Sequence, residues 1–154
     1  MKKYLLTIIF ALIIGFFLGN FLLRQYDDYR GLRVSSDGEE VYFIQYGVYS
    51  SIESMEENTI NLENYIYNIE SDKYYVYIGI TKDKNNLEKI QNYFKSLGHE
   101  TIVKNYFIKN TNFIELLNNY DLVLNQTEDT VAIASIICQV LQKYEEVVNS
   151  DSKN

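Results

Sequence analysis

Several residue types that build common functional sites are scarce in this chain of 154 residues. It has one cysteine, Cys138, and one histidine, His99, and it has no proline or tryptophan. A single cysteine excludes an intramolecular disulfide, and zinc sites of the Cys/His type need three or four such ligands. We interpret Cys138 as a small apolar residue of a helix and His99 as a residue of a turn or strand start. We therefore expect neither a metal nor another cofactor.

The motifs of common catalytic and nucleotide-binding sites are also missing. The sequence has no nucleophile elbow, no metalloprotease motif, no phosphate loop and no dinucleotide fingerprint. An acid and a base that act together must converge across a cleft, whereas sequence neighbours point apart. Three pairs of adjacent carboxylates are therefore interpreted as solvated surface charges, namely Asp27 with Asp28, Glu39 with Glu40, and Glu56 with Glu57. We expect that the protein is not an enzyme.

Basic residues are outnumbered and unclustered. The chain has 14 lysines and arginines against 21 acidic residues, which gives a formal net charge of −7. Nucleic-acid binding needs clustered basic side chains that displace counterions. We expect no nucleic-acid partner, and neutral or cationic partners instead.

One long stretch, residues 4–23, contains no charged residue. As a helix, its 20 residues are enough to cross a hydrocarbon core of roughly 30 Å. The alternative, a cleaved signal peptide, would have an apolar core of about 7–15 residues and a small-residue cleavage site, and neither is visible. We predict a membrane anchor over residues 1–23. Lys2 and Lys3 favour a cytoplasmic amino terminus, although arginines also follow the stretch. The expected location is the cell membrane, with a single span and an extracytoplasmic C-terminal domain.

A short pattern occurs twice after this stretch. VYFIQYGVYSS begins at Val41 and YYVYIGIT begins at Tyr74, and the two align with Gly47 on Gly79, at a spacing of 32 residues. Such repetition indicates repeated supersecondary structure. The sequence predicts a polar tether over 24–40 and an α+β domain over 41–108 with βαββαβ order, an antiparallel sheet and two helices on one face. The predicted strands are 41–48, 65–70, 74–80 and 101–108.

Two hydrophobic stripes predict the helices of this domain. Ser50 and Glu53 have the spacing of a capping box, and Gly98 is placed to end the second helix, over 84–97. The first stripe consists of Ile52, Met55, Thr59, Leu62 and Ile66, and the second of Leu87, Ile90, Phe94 and Leu97.

Strands expose alternate residues on opposite faces, so the two repeated blocks can be sorted. The residues predicted to face the helices are Tyr42, Ile44, Tyr46, Val48, Tyr74, Val76, Ile78 and Ile80. The opposite side, here named the aromatic face, consists of Phe43, Gln45, Tyr75 and Tyr77. Open rings beside an amide suit sugar binding. The alternative, equally supported by the residues, is that these rings merely cover the sheet or meet the C-terminal helices.

The chain has the pattern F-I-Q-Y-G-V-Y from Phe43, then a helix, then Y-V-Y-I-G-I from Tyr75, and then a second helix that ends S-L-G before a last strand. This order resembles the SPOR domain, the sporulation-related repeat of bacterial envelope proteins. The resemblance covers roughly residues 40–108. It implies a fold that binds peptidoglycan, in particular glycan strands without stem peptides, in cell division or sporulation. It also implies glycan binding by Phe43, Gln45, Tyr75 and Tyr77. The sequence departs from the family at Val48, where a small polar serine is common.

Residues 109–149 form a C-terminal extension with two helical patterns, followed by a polar tail at 150–154. The first pattern spans 112–124, with an apolar side made of Phe113, Leu116, Leu117, Tyr120 and Leu124. Thr127 is the predicted N-cap of the second helix, whose segment 131–141 is apolar almost all round yet too short to span a membrane. Such a helix is normally buried, so we expect it to pack on the domain, with a partner protein as the alternative.

Two functions follow from these expectations. The first is a membrane-anchored module that binds peptidoglycan. The second is a non-catalytic scaffold whose SPOR-like domain binds other envelope or division proteins.

Overall fold

A computed structural model describes residues 38–151 of the chain, and the side chains of residues 38–148. The predicted anchor, most of the predicted tether and the end of the polar tail lie outside the described residues. The elements in chain order are β1 (Glu39–Tyr49), α1 (Ile52–Thr59), β2 (Ile66–Glu70), β3 (Lys73–Thr81), α2 (Lys84–Ser96), β4 (Ile102–Ile108), α3 (Thr111–Gln126) and α4 (Thr130–Asp151).

The fold is α+β, with a four-stranded antiparallel sheet and, within residues 38–151, four helices. The strand order is β2-β3-β1-β4, and every neighbouring pair is antiparallel. Two split βαβ units in this order give the arrangement of a ferredoxin-like sheet. The helices α1 and α2 pack against β1 and β3 on one side. Ile44 lies on this side, because a Cβ added to Gly79 would sit 3.1 Å from both Ile44 and Ile90 of α2.

Two local backbone conformations fix the turns of the domain. Ser71 and Asp72 both have positive φ, 49° and 59°, and join β2 to β3 as a two-residue hairpin turn. Such turns match the right-handed twist of the flanking strands. At the end of α2, Gly98 has a φ of 86°, and the amide of His99 donates to the carbonyl of Phe94. The predicted role of Gly98 as a helix end is confirmed.

Helix boundaries differ from the sequence prediction at three places. The N-cap of α1 is Ser51 and not Ser50, since the Ser51 side chain accepts from the amide of Ser54. This helix ends at Thr59, so the predicted stripe continued too far: Leu62 lies in the following loop and Ile66 begins β2. The N-cap of α4 is Asp129, whose carboxylate accepts from the amides of Val131 and Ala132.

The element boundaries also move the predicted domain limits. The predicted tether ended at residue 40, whereas β1 begins at Glu39. The predicted polar tail began at residue 150, whereas α4 continues to Asp151. Thr127, predicted as an N-cap, instead follows α3 as its C-cap. Each difference is of one to three residues, which is the usual uncertainty of element ends.

The C-terminal extension is part of the core. The helix α4 packs along β3 and against α3, and α3 contacts α2. The buried side of α4 consists of Ile133, Ile136, Ile137, Val140 and Leu141, while Val131 is exposed. The expectation that this extension packs on the domain is therefore confirmed. The expectation of an all-round buried helix is wrong, because one side of α4 is exposed, at Val131, Ser135 and Gln139.

Within residues 38–151, no helix combines the length and the hydropathy that crossing a membrane requires.

Candidate functional site

The centre of the aromatic face is a buried cluster of rings. Phe43 contacts Tyr77 of β3, Tyr106 of β4 and Tyr144 of α4, with ring centroids 5.4, 4.9 and 5.2 Å apart. All three contacts are edge-to-face, the arrangement that the ring quadrupole favours. Phe113 of α3 extends the cluster, with its ring 5.3 Å from that of Tyr144. Rings from both C-terminal helices thus lie against this side of the sheet.

The hydroxyls of Tyr77 and Tyr106 are hydrogen-bonded to each other inside the cluster. Burial, and then the bond to Tyr106, raises the pKa of Tyr77 far above its ordinary value. Burial likewise raises the pKa of Tyr144. Both phenols therefore stay neutral at physiological pH, and the cluster is a packed, uncharged junction between the sheet and α4.

The expected exposure of the aromatic face is wrong for three of its four residues. Phe43 and Tyr77 are each 2% exposed and Gln45 is 4% exposed, while Tyr75 is half-buried. The reason for Phe43 and Tyr77 is the ring contact that Tyr144 and Tyr106 make with them. A ring closed over in this way has no face left on which a sugar can stack.

Gln45 combines burial with an unmet hydrogen-bonding group. Its Oε1 is buried and, within the described part of the chain, accepts no hydrogen bond. Its neighbours across the sheet are Tyr77 on one side and Ile102 on the other. A buried acceptor without a donor costs about 1–3 kcal/mol, so this amide is a weak point of the sheet.

Two β-bulges change the predicted alternation. The pairing of β1 with β3 shifts between Ile44 and Gln45 and again between Gln45 and Gly47. Each bulge adds one unpaired residue and reverses the faces that follow it. As a result, Ile80 pairs with Phe43 and Val48 pairs with Tyr75, so neither lies on the side predicted for it. The regular repeat assumed from the sequence could not reveal these shifts.

A row of tyrosines is accessible on the opposite side of the sheet, the side on which α1 and α2 pack. Tyr49 of β1, Tyr74 of β3 and Ile69 of β2 pair directly across three strands, and Tyr67 lies two residues from Ile69. Tyr67 is 47% exposed, Ile69 is 56% exposed, and Tyr49 and Tyr74 are half-buried. The rings of Tyr67 and Tyr74 are 5.9 Å apart. We name Tyr49, Tyr67 and Tyr74 the tyrosine row. The sequence analysis did not single it out, because each of its residues belongs to a different strand and only the strand pairing brings them together.

A buried polar cluster attaches α3 to the domain. The Asp121 carboxylate accepts from the Thr81 hydroxyl, from the Lys82 amide at 2.9 Å and from Asn86 Nδ2 at 2.9 Å. Burial raises the pKa of Asp121, against the lowering effect of these three donors. Lys89 reinforces the attachment, since its Nζ donates to the carbonyls of Leu124 and Thr127. This cluster is structural, because every oxygen of the carboxylate already has a donor.

The residue types that bind metal ions are scattered over the part of the chain that the structure describes. Within residues 38–151, no group of three or more His, Cys, Asp or Glu side chains is placed to hold a metal ion. His99 packs edge-to-face on Tyr46, with centroids 5.3 Å apart, and Cys138 is a half-buried free thiol of α4.

Comparison with family models, with curated proteins and with solved structures gave no match for this chain.

Proposed function

We propose that this protein is a non-catalytic scaffold of the bacterial envelope, in which a SPOR-like domain carries partner-binding surfaces. One observation carries the proposal: the chain's own C-terminal helices occupy the centre of the aromatic face, where the SPOR resemblance implies glycan contacts. The βαββαβ order, with α1 and α2 on one side of an antiparallel sheet, supports the SPOR-like assignment. The uncharged stretch at residues 4–23 supports an anchor in the cell membrane.

The test is sedimentation with peptidoglycan sacculi. Residues from Asp37 onward form one compact unit, so a soluble fragment of residues 37–154 is a suitable probe. We expect it to stay in the supernatant with intact sacculi and with sacculi whose stem peptides an amidase has removed. A glycan-binding SPOR domain serves as the positive control, and pelleting of the fragment with amidase-treated sacculi would refute the scaffold function.

The second candidate is binding of peptide-free glycan, as the SPOR resemblance implies. The tyrosine row favours it, because exposed rings with hydroxyls on adjacent strands suit the apolar face and the polar edge of a sugar. In that case Tyr67→Ala should weaken pelleting with amidase-treated sacculi. Gln45→Ala and Tyr75→Ala test the residues of the aromatic face that the sequence named. If pelleting were lost with Tyr67→Ala alone, the glycan would bind on the side of the sheet on which α1 and α2 pack.

A further inference from the structure

A cleft of about 500 Å³ opens between α2, α4 and the loop that joins α1 to β2. Its walls include Leu62 and Glu63 of the loop, Phe94 of α2 with Leu97 at the C-cap of that helix, and Ala134 and Cys138 of α4. The volume lies within the range of ligand-binding clefts, about 300–1,000 Å³. None of these residues belongs to the aromatic face or to the tyrosine row.

The cleft is lined by buried apolar side chains and by one exposed leucine. Phe94 is buried, whereas Leu97 is 54% exposed although it ends the apolar stripe of α2. On the α4 wall lie the half-buried Cys138 and the small side chain of the half-buried Ala134. An exposed leucine beside an open apolar hollow is a surface that gains free energy when another apolar side chain enters.

Glu63 carries a negative charge at the rim of the cleft. It is exposed, and no lysine or arginine is among the described residues that line the cleft, although His99 also lines it. Glu63 also lies close enough to Tyr93 for its charge to add to the effect of burial in raising the pKa of that phenol. The chain as a whole is acidic, with a net charge of −7, so its field attracts cationic segments and repels anionic ones.

We propose that this cleft binds an amphipathic helical segment of a partner protein, with a bulky apolar side chain in the hollow and a lysine or arginine beside Glu63. The two flanking helices, α2 and α4, form the groove in which such a segment lies, as in other helix-in-groove complexes. The inference rests on the proposed scaffold function and deepens it, since it names the chemistry of the partner and the surface that receives it.

The test uses the full chain in mild detergent and two fluorescent amphipathic peptides with the same leucine pattern. One peptide has lysines on its polar face and the other has glutamates. We expect the lysine peptide to bind at least about tenfold more tightly by fluorescence anisotropy, and to slow the reaction of Cys138, the chain's only thiol, with a maleimide. Equal binding of the two peptides, or unchanged maleimide reaction, would overturn the proposal.

Three variants make the test specific. Ala134→Leu fills the hollow and should weaken the lysine peptide about tenfold, and Glu63→Lys should weaken it about fivefold, as expected for loss of an exposed charge pair and gain of a repulsion. Gln142→Leu, an exposed position of α4 outside the cleft, should leave binding unchanged. Circular dichroism checks that each variant is folded. Equal binding by the folded Ala134→Leu variant would also overturn the proposal.

Self-association and the glycan test separate the remaining outcomes. If Ala134→Leu abolished a dimer seen by sedimentation equilibrium, the occupant would be a second copy of this chain, against the proposal. If sacculi pelleted the fragment while the lysine peptide still bound the cleft, the scaffold function would fail and the cleft assignment would stand. If neither peptide bound and sacculi did not pellet the fragment, the cleft proposal would fail and the scaffold would bind its partner through another surface.

Discussion

At the scale of single residues, Asp121 shows how a carboxyl side chain can be buried without a cationic partner among residues 38–151. Its carboxylate is 7% exposed and is held by one hydroxyl, one backbone amide and one side-chain amide. Burial disfavours the ionised form, while the three donors favour it. Burial is the larger effect, so the pKa of Asp121 lies above its ordinary value.

The raised pKa of Asp121 predicts a pH dependence of stability. A carboxyl whose folded pKa exceeds its unfolded value, about 3.9, contributes fully below that value, and the contribution is lost as the pH rises through the folded pKa. We therefore expect the free energy of unfolding of the parent, minus that of Asp121→Asn, to fall as the pH rises from about 4 through the folded pKa of Asp121. Urea denaturation at several pH values measures this difference. A difference that grew with pH would mean that the donors outweigh burial. Asn119→Ala, an exposed change of an uncharged side chain on the same helix, should show no trend.

For single residues, the strand pattern predicted the side of the sheet but not the exposure. The sequence placed Ile44 toward the helices and Phe43 on the opposite side, and both placements are confirmed. It could not show that Phe43 is covered, because the covering ring belongs to Tyr144, 101 positions along the chain. The candidate site was thus predicted in direction but not in exposure.

At the scale of elements, the end of α2 depends on one backbone conformation. Gly98 has a φ of 86°, where L-residues are strained, and a Cβ built there would meet no atom within 4 Å. The effect of a substitution is therefore a backbone effect alone. We expect Gly98→Ala to lower the free energy of unfolding by about 1–2 kcal/mol in urea denaturation.

Gly98→Asn provides the matched comparison for this prediction. Asparagine tolerates positive φ better than alanine, so its loss should be smaller. If Gly98→Ala were as stable as the parent, the left-handed conformation would not be needed at this helix end.

The two bulges of the β1–β3 pair change which side of the sheet some residues face. The repeated blocks have matching residue types, which correctly indicated two strands of one sheet. Their alignment by glycine nevertheless gave the wrong side for Ile80 and Val48, because pairing shifts twice within a few residues. A bulge is a property of two strands together, and a single strand's sequence does not determine it.

At the scale of the whole molecule, the C-terminal helices are part of the domain and not an appendage. Phe113, Leu117 and Leu124 of α3 and Ile137 and Leu141 of α4 belong to the same hydrophobic core as the sheet. The same helices supply the acceptor of the Asp121 cluster and the ring of Tyr144.

Removing these helices should unfold the domain. A chain that ends after Asn110 would expose Ile80, Phe43 and Tyr77 and leave Thr81 and Asn86 without their buried acceptor. We expect it to lose its cooperative urea transition and the dispersion of its NMR spectrum, because burial of each large apolar side chain contributes about 1.5–3 kcal/mol. A chain that ends after Asp151 is the control and should behave as the parent. A cooperative transition in the shorter chain would show an independent SPOR-like domain.

The membrane topology is a further prediction for the whole chain, and it concerns residues outside those that the structure describes. The uncharged stretch at 4–23 and the lysines before it predict a cytoplasmic amino terminus and an extracytoplasmic carboxyl terminus. A reporter that is active only in the cytoplasm, fused after Asn154, should be inactive, and one active only outside should work. The reverse result would contradict the predicted orientation.

The sequence by itself determined the order of strands and helices in residues 38–151, because hydrophobic periodicity, caps and turn residues act over a few positions. It also indicated that the apolar α4 must be buried. The tertiary structure alone decided where α4 packs, that the aromatic face is closed and that the tyrosine row is accessible. These features depend on strand register and on contacts between residues far apart in the chain, such as Phe43 with Tyr144 and Thr81 with Asp121, and local sequence patterns do not encode such contacts.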